Sequence, residues 1–201
     1  MDNAAVPIGG SAATRARLLT ATERLLLEHG YEQVSVRAIC TAAGANSAAV
    51  HYHFGSKDNL VAELLQARLG PVWAEPLTAV APGVTTVAQC VRIIVAPLAD
   101  LATDPAGRLY LHLLARIVLG RRSVAWSERW FGLQPWEDVL RAERPDLDGR
   151  EADRRWMLAF ELILQQFGDP LAGDRVPSAD AVDTLCAFVT AGLLAGSAGK
   201  R

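Results

Sequence analysis

Cysteine is scarce in this chain, and the few present do not cluster. Cys40, Cys90 and Cys186 are far apart and odd in number. No CxxC pair and no Cys/His group at zinc spacing accompanies them, which excludes a disulfide framework and a structural zinc site. They read as reduced core thiols of a cytoplasmic protein, with a redox or thiol-sensing role as the minor alternative. An excess of basic charge is also missing: 20 Lys and Arg stand against 22 Asp and Glu, a net charge of −2. A generally basic nucleic-acid binder is thereby excluded, and any contact with phosphate must come from a local patch. No apolar run approaches the roughly 20 residues of a membrane span. The opening MDNAAVPIGGSAAT has neither a basic n-region nor an apolar h-region, so no secretory leader is expected. There is no internal repeat, no alternating β pattern, no GxGxxG and no P-loop. Nor does any Ser/His/Asp or Cys/His set fall at a recognisable spacing. The expectation is a protein that is not an enzyme, with no metal and no cofactor.

What is present is apolar content, 51% of 201 residues, enough for a sizeable core in one large or two small domains. Helical periodicity runs through nearly all of it, so the fold class is all-α. The most informative stretch is residues 34–60, VSVRAICTAAGANSAAVHYHFGSKDNL. Ser35 is a good N-cap, with Val34 and Ile39 placed to form a hydrophobic staple. Gly44 ends that helix, because glycine takes positive φ without steric cost. Asn46 or Ser47 can cap a second helix running from Ala48 to Phe54, and Ser56 a third from Lys57. Two short helices joined by a turn containing glycine form a helix-turn-helix. Ala42, Ala43, Ala45, Ala48 and Ala49 let the pair cross closely. The second helix then offers small and polar groups to a major groove. Residues 35–57 carry Arg37 and Lys57 and no acid, a local charge of +2. Arg15 and Arg17 lie near, at the start of the first helix. His51 and His53 do not make a metal site, because residues two apart on a helix point about 200° from each other.

Residues 14–65 resemble the DNA-binding domain of the TetR family of bacterial transcriptional repressors. The resemblance rests on Gly30-Tyr31 after the first helix, the cap Ser35, the segment Ile39 to Gly44, the aromatic-rich helix ending in Phe54, and Ser56-Lys57-Asp58-Asn59-Leu60. Cys40, Ala45 and His51 stand where the family has Ala, Val and Tyr. The resemblance implies double-stranded operator DNA as partner. Ser47, Ala48 and Ala49 would then reach base edges, with Asn46 either joining them or acting only as a cap. Tyr52 would touch a phosphate or a thymine methyl, the alternative being that it packs on the first helix. His51, Ser35, Arg37 and above all Lys57 would meet phosphates. Phe54 reads as core. The domains implied are a disordered tail over 1–13, a helix-turn-helix domain over 14–60, and a ligand-binding and dimerisation domain over 61–201.

The C-terminal part reads as further helices. Gly70-Pro71 should end or kink the helix that begins at Ser56, leaving 70–83 as a proline-broken linker. Helices are expected over about 84–101, from Asp104-Pro105 to Gly120, over 135–143, 150–167 and 178–195. The stretch 141–155 alternates in sign and reads as solvated. The last two helices are apolar on more than one face, and Ala187, Ala191, Gly192 and Ala195 would permit close approach. The resemblance implies a homodimer whose interface is built on those two helices, and this pattern supports it. Trp126, Trp130, Trp136 and Trp156 fall in this half, along with the isolated polar residues Gln89, Arg92, His112, Arg116, Gln165 and Gln166. A mostly apolar pocket with few polar anchors suits a small effector. His112 and Arg116, one turn apart, would take a carboxylate or phenolate beside Trp126 and Trp130. The reading is a ligand-responsive repressor that binds a palindromic operator as a homodimer. The rival is a dimeric helical ligand-binding protein with no primary DNA function.

Overall fold

The computed structural model of the protein describes residues 8–169 and 176–196, and over these the chain is all-helical. The helices are α1 (Ile8–Gln33), α2 (Val36–Ala42), α3 (Ala49–Phe54), α4 (Lys57–Thr78), α5 (Val87–Leu101), α6 (Pro105–Leu119), α7 (Gln134–Glu143), α8 (Gly149–Phe167) and α9 (Ala179–Leu194). A 3₁₀ turn, Arg129–Phe131, precedes α7. Side-chain caps set most of the starts. Ser35, Ser56, Asp104, Asp148 and Ser178 each accept the amide three residues on. Thr86 and Gln89 close a capping box ahead of α5, each accepting the other's backbone amide (3.2 and 2.9 Å).

The chain divides into two compact units, one reaching Leu64 and one starting at Leu65. In the N-terminal unit α1 packs on α2 and α2 on α3. Leu18, Leu26, Ile39, Val50, Leu60 and Leu64 are buried there. Gly30 interrupts α1 with φ 73° and ψ 169°, a backbone that turns the chain toward Tyr31. α1 begins at Ile8, which corrects the expected tail: residues 8–13 are helical. Their backbone joins the ladder of α1, and Thr14 adds a side-chain bond to the Gly10 carbonyl (2.7 Å). The rest of that tail, 1–7, lies outside the described residues.

In the C-terminal unit α5 packs against α9 and α6, and α8 against α6, α7 and α9. Trp156 is fully buried in this core. Trp130, Trp136, Trp156 and Phe160 follow one another with ring centroids 5.3, 6.0 and 5.6 Å apart. The linker expected at 70–83 is corrected in its first half, since α4 runs on to Thr78 with Pro71 and Pro76 inside it. Each proline gives up a ladder bond. Tertiary packing outweighs that loss: Leu69 and Leu77 are buried, and the Trp73 indole donates to the Ile93 carbonyl (3.1 Å). Gly168 follows α8 where α6 comes closest. A Cβ there would lie 2.3 Å from the Ala115 methyl and 2.8 Å from the Leu111 carbonyl oxygen. The loop expected after it, at 170–175, lies outside the described residues. Two arginines close the last helix. Arg155 donates to the Leu193 and Ala195 carbonyls (2.8 and 2.6 Å), and Arg144 to those of Leu194 and Ala195.

Candidate functional site

α3 is short, so its faces are easily assigned. Val50 and Phe54 turn inward and are buried; Ala48, His51 and Tyr52 turn outward. Tyr52 is 82% exposed, which removes the alternative that it packs on α1. Ala49 is a correction. It precedes Val50 on the inward arc and is only 9% exposed, so its methyl is not offered to a base. Asn46 caps the turn: its Oδ1 accepts the Ala48 amide (2.9 Å), while Ser47 stays exposed beside it. The His51 Nδ1 lies 3.2 Å from the Gly55 carbonyl oxygen. A carbonyl only accepts, so Nδ1 carries the proton. That leaves Nε2 for a partner outside the helix. On α2, Ser35, Arg37 and Thr41 are exposed. Thr41 was not singled out from the sequence; only the outward register of α2 marks it.

The cations near α3 serve partly as its frame. Arg15 donates to the His53 carbonyl (2.6 Å), pairs with Glu63 and lies 4.6 Å from the Phe54 ring centroid. Arg17 Nε donates to the Ala43 carbonyl (3.1 Å), at the end of α2. Lys57 donates to the Tyr31 carbonyl (2.5 Å) and sits 3.6 Å from that ring's centroid. The Tyr31 hydroxyl in turn donates to Asp58. The Gly30-Tyr31 corner therefore clips the start of α4. Lys57 is half-buried at this corner.

The C-terminal unit encloses a cavity of about 860 Å3, within the range of small-molecule sites. Trp126 and Trp130 line it, with Trp73, Trp136 and Phe160. His112 and Arg116 do not, which corrects their assignment. α6 presents Leu114 and Val118 to the cavity, and residues two positions away lie about 200° round the helix. His112 instead faces the Asp169 backbone. Burial lowers its pKa, against an opposing pull from Asp169. Gln89 is used in its capping box and Arg92 pairs with Asp183 (3.1 Å). Of the polar residues that line the cavity, Gln66 is the buried one, and the sequence did not mark it. Its partners, Ser127 and Glu128, are more than 60 positions away. No group of three metal-binding side chains occurs among the described residues. No described helix is long and apolar enough to cross a membrane.

A capped α2, a tight glycine turn and an α3 with one exposed polar face define a helix-turn-helix transcriptional regulator. Residues 18–64 match the bacterial regulatory proteins, tetR family. The chain is 30% identical over 184 residues to the HTH-type transcriptional repressor Rv3405c of Mycobacterium tuberculosis, spanning 92% of this chain and 86% of that one. It belongs to the tetR family. A second relative, the HTH-type transcriptional repressor KstR2 of Rhodococcus jostii, is 28% identical over 120 residues, 59% of each chain. Among solved structures, a TetR-family regulator from Streptomyces coelicolor A3 shares the fold with a TM-score of 0.54. The match is 20% identical and covers 94% of this chain and 99% of that one.

Proposed function

We propose that this regulator is a repressor that binds a palindromic operator as a homodimer and releases it when a small molecule fills the C-terminal cavity. The observation that carries the DNA side is the outward face of α3, where Ala48, His51 and Tyr52 stand exposed opposite buried Val50 and Phe54. Ser47 and Ala48 read base edges, with His51 beside them offering its Nε2. Ser35, Arg37, Asn46, Tyr52 and Lys57 meet phosphate and sugar, fixing register without reading sequence. The repressor sign is that of Rv3405c and KstR2, both named as repressors.

The dimer is built on α8 and α9. Leu158 is 60% and Phe188 68% exposed, large apolar side chains that a lone subunit leaves in water. Ala191 and Gly192, one turn beyond Phe188, are exposed too and leave room for close approach. Paired about a two-fold axis, two copies of α3 address two half-sites. Effector control runs through α4, a single element that starts at Lys57 and walls the cavity with Gln66, Gly70 and Trp73. A ligand shifts the equilibrium only by its differential affinity for the two states of that element.

The test is selection of bound duplexes from a random library by purified protein at about 0.1–0.15 M salt, where weak non-specific binding is screened. Recovery of one palindromic motif is the expected result. A folded, ligand-free dimer that enriches nothing would favour the rival reading, a helical ligand-binding protein without a DNA role.

A further inference from the structure

The cavity wall carries an asymmetry that bears on what fills it. Among the described residues that line it, Glu128 is the one ionisable residue, an exposed acid, and no cation is among them. Arg129, whose guanidinium carbon lies 4.5 Å from the Trp130 ring centroid, is not part of the wall. Gln66 is the buried polar residue, 8% exposed, and its amide orientation is fixed by its neighbours. Its Oε1 accepts the backbone amides of Ser127 (2.7 Å) and Glu128 (2.9 Å) and the Ser127 hydroxyl (3.1 Å). Two backbone N–H groups can only donate, so the oxygen and not the nitrogen faces them. The carboxamide NH2 is a donor left to the cavity, held at a fixed place by those bonds. The indoles of Trp73 and Trp136 are already committed to carbonyls of Ile93 and Trp130 (both 3.1 Å). Around that amide the wall is flat and aromatic. Trp126 and Phe131 stack with centroids 4.9 Å apart and planes 19° from parallel.

We propose that the effector is an uncharged, polycyclic or aromatic molecule carrying one carbonyl-type acceptor, which the Gln66 amide NH2 binds while the tryptophan wall takes the ring faces. This rests on the reading of the cavity as the effector site. The charge preference follows from the wall. A carboxylate or phosphate would lose its hydration for neutral donors alone, with no cation in the lining. A hydrogen bond to a carbonyl in such a site is worth up to about tenfold in affinity, because an unmatched buried amide is left unsatisfied by a ligand lacking the acceptor.

The experiment uses the full-length protein and four probes on one ring system: acetylpyrene, ethylpyrene, pyrenecarboxylate and pyrenylmethylammonium. Tryptophan-to-pyrene energy transfer reads their dissociation constants. Acetylpyrene is expected to bind most tightly, about tenfold better than ethylpyrene, with pyrenecarboxylate the weakest. Gln66→Glu then isolates the donor. Read at alkaline pH, where a carboxyl is ionised, the new side chain can still accept both backbone amides but has no hydrogen to give. In that variant the advantage of acetylpyrene over ethylpyrene should vanish and the ammonium probe should gain. Pyrenecarboxylate or the ammonium binding the native protein as well as acetylpyrene would overturn the ligand class while leaving the cavity as an effector site. An acetyl advantage that survives Gln66→Glu would do the same. If none of the four transfers energy from the tryptophans at any soluble concentration, the ligand class and the effector-site reading both fall.

Discussion

Arg15→Met tests whether the cations beside α3 hold the helix or hold DNA. In the structure the guanidinium bonds the His53 carbonyl, lies over Phe54 and pairs with Glu63. The side chain is 38% exposed, so solvent screens part of this. The carbonyl bond contributes about 1 kcal/mol after that discount, the ring contact about 0.5–1, and the exposed ion pair less than about 1. Methionine keeps the stem packed on Phe54 but loses the rest, a net of about 2 kcal/mol. For a chain of this length that lowers Tm by about 4–8 °C. If the same energy must be recovered to present α3 on DNA, affinity falls by at most about 30-fold. The deciding readout is the salt dependence, taken by fluorescence anisotropy on a selected operator duplex between about 50 and 200 mM salt. A brace that never touches phosphate leaves the slope of log K against log salt unchanged. A slope smaller by about 1 would make Arg15 a phosphate contact and refute the bracing account.

Gly168→Ala should destabilise the C-terminal unit by about 1–3 kcal/mol, since the Leu111 carbonyl cannot yield to a methyl as a flexible side chain can; urea unfolding with an unchanged midpoint would contradict it. His112 has its pKa lowered below 6.5 by burial, so its contribution to stability is present above that pH and is lost as pH falls through the lower folded value. A His112→Gln variant should therefore lose less stability than the native protein between neutral and mildly acidic pH, as read by thermal melts across that range. Phe188→Glu should shift the dimer to monomer in sedimentation at micromolar concentration, because it places a charge on the apolar face of α9. An intact dimer would move the interface elsewhere.

The helix ends were legible because their causes are local. Ser35, Gly44, Ser56, Asp104 and Ser178 act within three or four residues of themselves, and the sequence displays them. The course of α4 was not legible, because Pro71 and Pro76 carry a strong local signal that burial of Leu69 and Leu77 overrides from other parts of the fold. The cavity lining failed for a related reason. His112 and Arg116 share a face, as expected, but which face α6 turns inward is set by its packing against α8 and not by its own pattern. Lys57 and Arg15 were legible as positive charge. That both are engaged by backbone carbonyls of their own unit depends on where Tyr31 and His53 lie, which no spacing reveals.

The grip of Arg144 and Arg155 on the end of α9 is made to main-chain oxygens, and every amino acid supplies the same oxygen. Recognition of that kind is blind to side chains. In a saturation mutagenesis of the whole chain, exposed Ala195 should accept nearly any replacement while still being held. The two arginines, separated from it by 40 positions or more, should tolerate almost none. The fixed end of the last helix is thus encoded in the charged stretch 141–155, far upstream of the residues it fixes.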